Sequence, residues 1–291
     1  MSAPLPLCYL NGEFLPLAAA RVSPLDRAFL FGDAVYEVVP VYAGRPFRLR
    51  EHLDRLTRSL AGIRMTPPLS HGEWGEVCGE LVARNGAADQ YLYIQVTRGA
   101  EHGRNHAWPE GLKPTLFAFA TALEPIAPRL LEKGVAAVTA ADTRWARRDI
   151  KSTALLANVL LKKLAVDAGA YETILLEDGE LTEGSSTTVH IVVQGALRTP
   201  PNGRQILPGT TRDVVGELAS RLSIASRSVR VTEAELRNAE EIWIAFSTRG
   251  ILPVTLLDGR PVGNGKPGPV FGRVHAAFIA YTRELAGTPA L

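Results

Sequence analysis

The chain has 291 residues, of which 46% are hydrophobic and 21% are charged, so it can bury the core of one large domain or two smaller ones. Its formal net charge is +2 and the charges are well mixed, which excludes a long basic block of the kind that binds nucleic acid or a membrane surface. No apolar run approaches the roughly 20 residues of a membrane span, and the N-terminus lacks the pattern of a signal peptide.

The two cysteines, Cys8 and Cys78, are too far apart for the paired spacing of a zinc or redox motif. They favour a reducing compartment and a chain without disulfides. We therefore expect a cytoplasmic protein that holds no metal, binds no nucleic acid and does not enter a membrane.

The first third of the chain predicts a small α/β domain. Cys8-Tyr9-Leu10 and Glu13-Phe14-Leu15 are typical strands, and Asn11-Gly12 between them favours the positive φ of a tight turn. After Gly32-Asp33, a β-rich run begins near Tyr36. The domain should therefore open with a hairpin and continue into a third strand.

Two packing helices are predicted next. Leu53, Leu56 and Leu60 recur at helical spacing, and a second helix begins after Ser70, a residue type favoured at the N-cap. Arg55 lies between the apolar positions of the first helix, where an arginine commonly covers apolar surface with its stem.

A strand over residues 91–98 leads into a loop, bounded by glycine and proline, that contains Arg104 and His106. Such side chains on a loop are ordinarily solvated, but an arginine fork with a second donor beside it can trap a carboxylate. A further strand over residues 115–122 is followed by two prolines that hold residues 123–128 extended as a linker. The sequence therefore predicts domains at 1–122 and 129–291.

Lys151 stands where irregular backbone enters a predicted helix that runs from residue 153 to residue 168. Its simplest interpretation is a solvated surface charge. The alternative is a lysine held among cationic neighbours, Arg144, Arg147 and Arg148, which disfavour the protonated ammonium and free an amine for Schiff-base chemistry.

Glu183 stands at the start of a hydroxyl-rich run, residues 184–188. By itself this pattern is typical of a turn that leads into a strand, with a solvated acid. Hairpin turns at Asp178-Gly179 and Gln194-Gly195 would place the acid on a rigid sheet rather than on a free loop.

Gly209-Thr210-Thr211 precede another predicted helix. Such a helix start offers N–H groups, the positive end of the dipole and hydroxyl donors to an anion, although threonine is also a common N-cap. A second hydroxyl pair, Ser247-Thr248, ends a strand over residues 241–246, and Arg249 follows it. An amphipathic helix from about residue 270 to residue 285 completes the chain.

Lys151 and Glu183 together supply what pyridoxal phosphate needs: an amine to bind its carbonyl, and a carboxylate to keep its pyridine nitrogen protonated. The stretches around them resemble the fold-type IV aminotransferases, which include D-amino-acid transaminase, branched-chain aminotransferase and aminodeoxychorismate lyase. The resemblance covers nearly the whole chain. It implies an α+β or α/β fold with a small N-terminal α/β domain and a larger cofactor-binding domain that has a mixed sheet or a barrel-like core.

The resemblance also implies a role for each matched residue. Lys151 binds the cofactor and moves the α-proton of the substrate, and Glu183 keeps the ring protonated. Further cofactor contacts are implied for Arg144 at the ring hydroxyl and, at the phosphate and its loop, for Arg55, Thr210, Thr211, Ser247 and Thr248. Substrate contacts are implied for Tyr36, Arg104 and His106.

The spacing Arg104-x-His106 resembles the D-amino-acid transaminase branch, in which this loop reaches into the site of a neighbouring subunit. It implies a homodimer that transfers the amino group of a D-amino acid to a 2-oxo acid. Phe246 and Arg249 depart from the family pattern. We expect Arg249 either to contact the distal carboxylate of glutamate or 2-oxoglutarate or to point to solvent.

Three alternatives stay open. A branched-chain aminotransferase would act on L-amino acids through a more apolar pocket, which the Arg104 and His106 pair argues against. Aminodeoxychorismate lyase would share the chemistry of Lys151 and Glu183 but would eliminate pyruvate. A cofactor-binding protein that has lost turnover would keep the same residues without activity.

Overall fold

The computed structural model describes residues 3–101 and 103–287, and contacts within the chain divide them into two units. The first unit contains the chain up to Glu124, Ile150–Leu155 and the residues from Thr282 on, and the second contains Pro125–Asp149 and Leu156–Tyr281. The domain limits expected from the sequence, 1–122 and 129–291, stay a prediction. No helix among the described residues is long and apolar enough to cross a membrane.

An antiparallel sheet of six strands forms the first unit. Its strands are β1 (Pro4–Leu10), β2 (Glu13–Pro16), β3 (Ala34–Tyr42), β4 (Arg45–Pro46), β5 (Gln90–Thr97) and β6 (Thr115–Ala122). Their order across the sheet is β2-β1-β6-β5-β3-β4. The turn between β1 and β2 has Asn11 at φ 52° and Gly12 at φ 104°, which confirms the predicted hairpin.

The helices of this unit begin with a single 3₁₀ turn (Leu17–Ala19) and a short helix, α1 (Arg27–Phe31), which are followed by α2 (Leu49–Gly62) and α3 (His71–Asn85). The Ser70 hydroxyl accepts from the Glu73 N–H, and the Glu73 carboxylate accepts from the Ser70 N–H, so the predicted N-cap is confirmed. The apolar faces of α2 and α3 pack against one face of the sheet. That core includes Leu53, Leu56, Leu60, Trp74 and Leu81 from the helices and Val35, Val39, Leu92 and Ile94 from the strands.

A second sheet, of nine strands, forms the second unit. Its strands are β7 (Val135–Ala141), β8 (Glu172–Glu177), β9 (Glu180–Gly184), β10 (Thr188–Val193), β11 (Ala196–Thr199), β12 (Ser226–Ser228), β13 (Glu241–Phe246), β14 (Gly250–Leu257) and β15 (Arg260–Pro261). Eight of them follow the order β12-β11-β10-β13-β14-β7-β8-β9, and β15 pairs with β14. The pairs β7–β8, β7–β14 and β11–β12 are parallel and the others antiparallel, which confirms the expected mixed sheet.

The remaining helices are α4 (Pro128–Glu132), α5 (Leu156–Asp167), α6 (Thr210–Arg221), α7 (Glu233–Arg237) and α8 (Pro269–Gly287). The start of α5 was predicted at residue 153, three residues too early. Ser152 forms a β-bridge with Val35, and the N–H of Thr153 donates to the carbonyl of Ala34 at 3.0 Å. Because this segment runs beside β3, the helix starts only after it.

Candidate active site

The backbone of Lys151 is fixed at the beginning of β3 in the first unit. Its N–H donates to the Ser59 hydroxyl at 3.1 Å, and its carbonyl accepts from the Tyr36 N–H at 3.0 Å. The Lys151 side chain is partly buried, and its Nζ lies 4.2 Å from the centroid of the Tyr36 ring. The structure therefore brings together two of the residues predicted for the site.

Other aromatic side chains on the same face of the sheet pack against the Tyr36 ring. It stacks on Tyr93, with ring centroids 5.5 Å apart and planes 24° apart, and Tyr93 contacts Phe119 at 5.2 Å. The Tyr93 hydroxyl donates to Gln95 at 2.7 Å. Burial, and to a smaller extent the neighbouring Tyr36, raise the pKa of Tyr93, so this phenol stays protonated as a donor. This row of aromatic rings holds Tyr36 beside the lysine.

Arg55 belongs to a buried cluster on the other face of β3. Its Nε and Nη2 donate to the two carboxylate oxygens of Glu37 at 2.7 Å and 2.8 Å, and His52 Nδ1 lies 2.7 Å from the same carboxylate. Burial raises the pKa of Glu37, but the Arg55 charge and hydrogen bonds, with those of His52, outweigh burial and hold that pKa well below its usual range. The predicted contact of Arg55 with a phosphate stays a prediction.

Glu37 and His52 are residues that the sequence analysis missed. Both are almost completely buried, at 0% and 1% exposure. Burial lowers the pKa of His52, and the attraction of Glu37 offsets this only in part. The available signals were an acid inside an apolar strand and a basic pair three residues apart on a helix.

Arg104 and His106 are exposed and lie against one ring in the first unit. The guanidinium carbon of Arg104 is 5.1 Å from the centroid of Phe31, and the His106 ring is 5.3 Å from it. The structure thus brings the predicted pair together on one surface. Its contact with a substrate carboxylate stays a prediction.

Glu183 ends up buried near the end of β9 in the second unit. Its carboxylate accepts from Arg144 at 2.5 Å and from the N–H of Leu207 at 3.3 Å and 3.2 Å. Burial raises the pKa of Glu183, and the Arg144 charge and hydrogen bond with the Leu207 N–H offset this only in part. The Glu183 carboxylate can therefore still accept a hydrogen bond from a further, cationic N–H group.

The three arginines that the sequence suggested as cationic neighbours of Lys151 are each paired with a carboxylate. Arg144 pairs with Asp142 at 2.7 Å and with Glu183, and Arg147 pairs with Asp149 at 2.9 Å. Arg148 pairs with Glu177 at 2.7 Å. Because each guanidinium faces a carboxylate, the neighbouring negative charge offsets most of the positive potential that the arginine would produce around it.

The two segments predicted to bind an anion lie at the same end of the neighbouring strands β10 and β13. Thr210 and Thr211 are buried in the first turn of α6, after Gly209 as N-cap. A Cβ on Gly209 would stand 2.7 Å from the Thr188 hydroxyl, so α6 begins against β10. Thr188 pairs with Ala245 of β13, and the turn containing Ser247, Thr248 and Arg249 follows at that same end of the strand. The side chains of Ser247, Thr248 and Arg249 are partly buried. Binding of an anion by the two segments stays a prediction.

The family is shown by a profile described as amino-transferase class IV, which matches residues 34–257. The chain belongs to this family. A D-alanine aminotransferase from Bacillus licheniformis is 39% identical over 92% of this chain and 94% of that protein. A branched-chain amino acid aminotransferase structure from Escherichia coli matches at TM-score 0.88 and 28% identity, over 95% of this chain and 94% of that one. A fold IV-transaminase structure from Curtobacterium pusillum matches at TM-score 0.82 and 27% identity, over 94% and 92%.

The chain is thus an aminotransferase of the class IV family with the fold-type IV architecture expected from the sequence. The matched region begins with β3, which carries Tyr36 and Glu37, and ends with β14. It therefore spans Lys151, Glu183 and both segments predicted to bind an anion.

Proposed function

We propose that this aminotransferase uses pyridoxal 5′-phosphate to transfer the amino group of a D-amino acid, such as D-alanine or D-glutamate, to a 2-oxo acid. The observation that carries the proposal is the exposed pair of donors Arg104 and His106 against the partly buried Phe31 ring, in a chain whose relatives with 37–39% identity are named D-alanine aminotransferases. A planar guanidinium beside a second donor suits a carboxylate.

The residues present fit the proposed cofactor. Glu183 is a buried carboxylate with a raised pKa, and a positively charged ring N–H would give it the partner that Arg144, shared with Asp142, supplies only in part. Helix α6 begins directly after Gly209, where a side chain would have no room, and the N–H groups of a first helical turn suit a phosphate. Lys151 would attach the cofactor, Glu183 would hold its ring nitrogen, and Arg144 would contact the ring hydroxyl. The phosphate would be bound by Arg55, Thr210, Thr211, Ser247 and Thr248.

When bound, this cofactor withdraws electrons from the α-carbon of the amino acid, which makes its α-hydrogen acidic. Lys151 would take that proton at Nζ and would give it up again on the side of the cofactor. The Tyr36 ring, 4.2 Å from Nζ, limits the positions from which the amine can reach the substrate. Glu183 keeps a proton on the ring nitrogen while this transfer takes place.

Substrate handedness follows from where the α-carboxylate is held. If the amino group is held at the cofactor, Arg104 and His106 bind the carboxylate and Lys151 must face the α-hydrogen, only one configuration at the α-carbon satisfies all three requirements. The opposite enantiomer would turn its hydrogen away from the amine. Assays of purified protein with D-alanine and L-leucine, each with 2-oxoglutarate, test this directly: product from L-leucine alone would refute the proposal.

The branched-chain alternative is favoured by one observation, the solved structures of that activity at 28% and 29% identity. The exposed Arg104 and His106 argue against the apolar pocket that it requires. Aminodeoxychorismate lyase would be identified by pyruvate released from aminodeoxychorismate without any amino acceptor.

We propose that the protein is a homodimer in the cytoplasm. One face of α5 leaves Leu156, Val159 and Leu160 exposed by 73%, 61% and 60%, and Leu164 continues the same stripe. A second copy of the chain would cover this stripe. Leu160→Glu should therefore convert dimer to monomer in light-scattering chromatography, whereas Val22→Glu, at a similarly exposed residue outside the helix, should not. Cys8 and Cys78 are both free and buried, which is compatible with a reducing compartment.

We propose that Arg249 binds the distal carboxylate of dicarboxylic substrates. It is partly buried beside Tyr171, whose pKa is raised by burial and lowered in part by the Arg249 charge. Arg249→Ala should raise the KM for D-glutamate about tenfold and leave that for D-alanine unchanged. An equal change for both substrates would mean that Arg249 instead points to solvent or supports the turn.

A further inference from the structure

The loop between β5 and β6, residues 98–114, carries Arg104 and His106, and we call it the arm. Its described residues are held to the first unit by Arg27, which is only 3% exposed. Arg27 Nη1 donates to the carbonyl of Asn105 at 2.7 Å, and Nη2 donates to the carbonyl of His106 at 3.1 Å. One buried guanidinium therefore holds the backbone at two adjacent residues, one of which lies between the two donors and the other of which is His106 itself.

Two carboxylates fix the guanidinium that grips the arm. Arg27 Nε donates to Asp33 at 2.9 Å, and Nη1 pairs with Glu101 at the beginning of the arm. Asp33 also accepts from Arg98 Nε at 2.7 Å and from Nη2 at 3.0 Å. The guanidinium carbon of Arg98 lies 4.1 Å from the centroid of Trp108, farther along the arm. Asp33 thus links two arginines that contact two different parts of the arm.

The two ends of the arm are closed by a tight backbone contact. Gly99 has φ 102°, and a Cβ there would stand 2.1 Å from the carbonyl oxygen of Lys113. The N–H of Arg27 donates to the Gly99 carbonyl at 2.9 Å. The two ends of the arm are therefore fixed at the sheet. The position of its middle, which carries Arg104 and His106, depends on other contacts.

Apolar packing supports the middle of the arm on one side only. Arg104 and His106 lie against Phe31. An open pocket of about 370 Å³, lined among others by Ile63, Arg64 and Trp108, lies beside the arm and the end of α2. The two hydrogen bonds from Arg27 are therefore, together with the Phe31 ring, contacts that oppose movement of Arg104 and His106.

We propose that Arg27, braced by Asp33, is a positioning residue that presets Arg104 and His106 for the α-carboxylate of the substrate. The proposal rests on the proposed function, because it takes the carboxylate as the group that these two residues bind. It assigns Arg27 no contact with substrate or cofactor. Loss of the grip should weaken carboxylate recognition and leave the remaining chemistry intact.

The test compares two amino donors with the cofactor-loaded wild type and Arg27→Gln. D-alanine has the α-carboxylate, and D-alaninol has a neutral hydroxymethyl group in its place. In single-turnover measurements, the variant should need about tenfold more D-alanine for its half-maximal rate, with the maximal rate and the D-alaninol response unchanged. Hydrogen exchange of the peptide over 103–108 should quicken about tenfold, while the peptides of β3 and β5 stay as in the wild type.

Arg21→Gln is the matched control, because Arg21 is an exposed arginine of the same unit that also donates to two backbone carbonyls, those of Ala18 and Ala20 at 2.8 Å. It should change none of these readings. If Arg27→Gln does not fold, Glu101→Gln removes one of the carboxylates that brace Arg27 and should give a smaller change of the same pattern.

Equal losses with D-alanine and D-alaninol would overturn the proposal, since they would show a general structural role. Faster exchange of the arm with an unchanged D-alanine response would overturn it as well. A wild type that uses L-leucine and not D-alanine would instead refute the proposed function. If the wild type is specific for D-alanine and the Arg27→Gln variant is unaffected, only the positioning role of Arg27 would be refuted.

Discussion

Glu37 in the first unit and Glu183 in the second are both buried carboxylates paired with an arginine, yet their pKa values move in opposite directions. Glu37 receives two hydrogen bonds from Arg55 and a contact from His52, and these outweigh the effect of burial. Glu183 receives one bond from Arg144, which also serves Asp142, and a long bond from a backbone N–H. Burial therefore prevails at Glu183.

This difference separates a carboxylate that stabilises the fold from one that can take a further cationic partner. Both oxygens of Glu37 accept from Arg55 of α2, and one of them also contacts His52, so Glu37 is suited to holding α2 against β3. The remaining acceptor capacity of Glu183 is what a protonated ring nitrogen requires. The number and sharing of donors, rather than burial or the presence of an arginine, distinguish the two.

The largest expected effect is on catalysis at Glu183. Glu183→Gln should lower kcat about a thousandfold, roughly 4 kcal/mol, because an amide does not stabilise a proton on the ring nitrogen. The free energy of unfolding should change by less than about 1 kcal/mol, since Arg144 keeps Asp142 as a partner. Steady-state kinetics and urea unfolding of the same preparation measure both. A Glu183→Gln variant with near wild-type kcat would contradict a catalytic role for Glu183.

Glu37→Gln should show the reverse pattern. It leaves the buried Arg55 without its bidentate partner, so the free energy of unfolding should fall by about 3 kcal/mol. The kcat of the folded fraction should fall far less than in Glu183→Gln. Glu80→Gln, at the exposed pair with Arg84, is the control and should cost less than about 0.5 kcal/mol. A Glu37→Gln protein as stable as this control would contradict a structural role for Glu37.

Arg144→Gln should widen the difference between the pKa values of Glu183 and Glu37. Removing the charge that offsets burial should raise the pKa of Glu183 further and lower kcat about thirtyfold, roughly 2 kcal/mol. The pH at which activity rises on the acid side should move upward. An unshifted pH profile of kcat would mean that Arg144 does not control the ionisation of Glu183.

The smallest effects are opposite slopes of stability with pH. The lowered pKa of Glu37 means that the unfolded chain binds more protons below the usual carboxyl range of about 4.3, so stability is lost there as pH falls. The raised pKa of Glu183 means that the folded chain binds more protons just above that range, so stability falls there as pH rises.

Each slope can reach about 1.4 kcal/mol per pH unit for one group. Urea unfolding from pH 3.5 to pH 7 should show the acid-side loss flattened in Glu37→Gln and the decline above it flattened in Glu183→Gln. Slopes of the same sign for both residues would contradict the opposite pKa shifts.

Local chemistry made much of the fold predictable. The Asn11-Gly12 turn, the Ser70 cap and the leucine spacing of α2 each follow from a few neighbouring residues, and the structure confirms them. The start of α5 depends instead on Ser152 and Thr153 running beside β3, more than a hundred residues earlier in the chain. No local propensity contains that contact.

The same limit applies to the candidate site. Tyr36 and Lys151 could be named from the sequence, but their contact depends on the bridge between Val35 and Ser152. The grip of Arg27 on the arm joins segments about 80 residues apart. The arginines before Lys151 were predicted as its cationic neighbours, and two of the carboxylates that pair with them, Glu177 and Glu183, lie on later strands.

The absorbance spectrum of the protein loaded with pyridoxal phosphate tests the central claim most directly, as D-alanine or L-leucine is added without any 2-oxo acid. The account predicts that D-alanine removes the band of the lysine-bound cofactor and that L-leucine does not. Loss of the band with L-leucine alone would contradict the carboxylate role of Arg104 and His106 and would place the protein among the branched-chain aminotransferases.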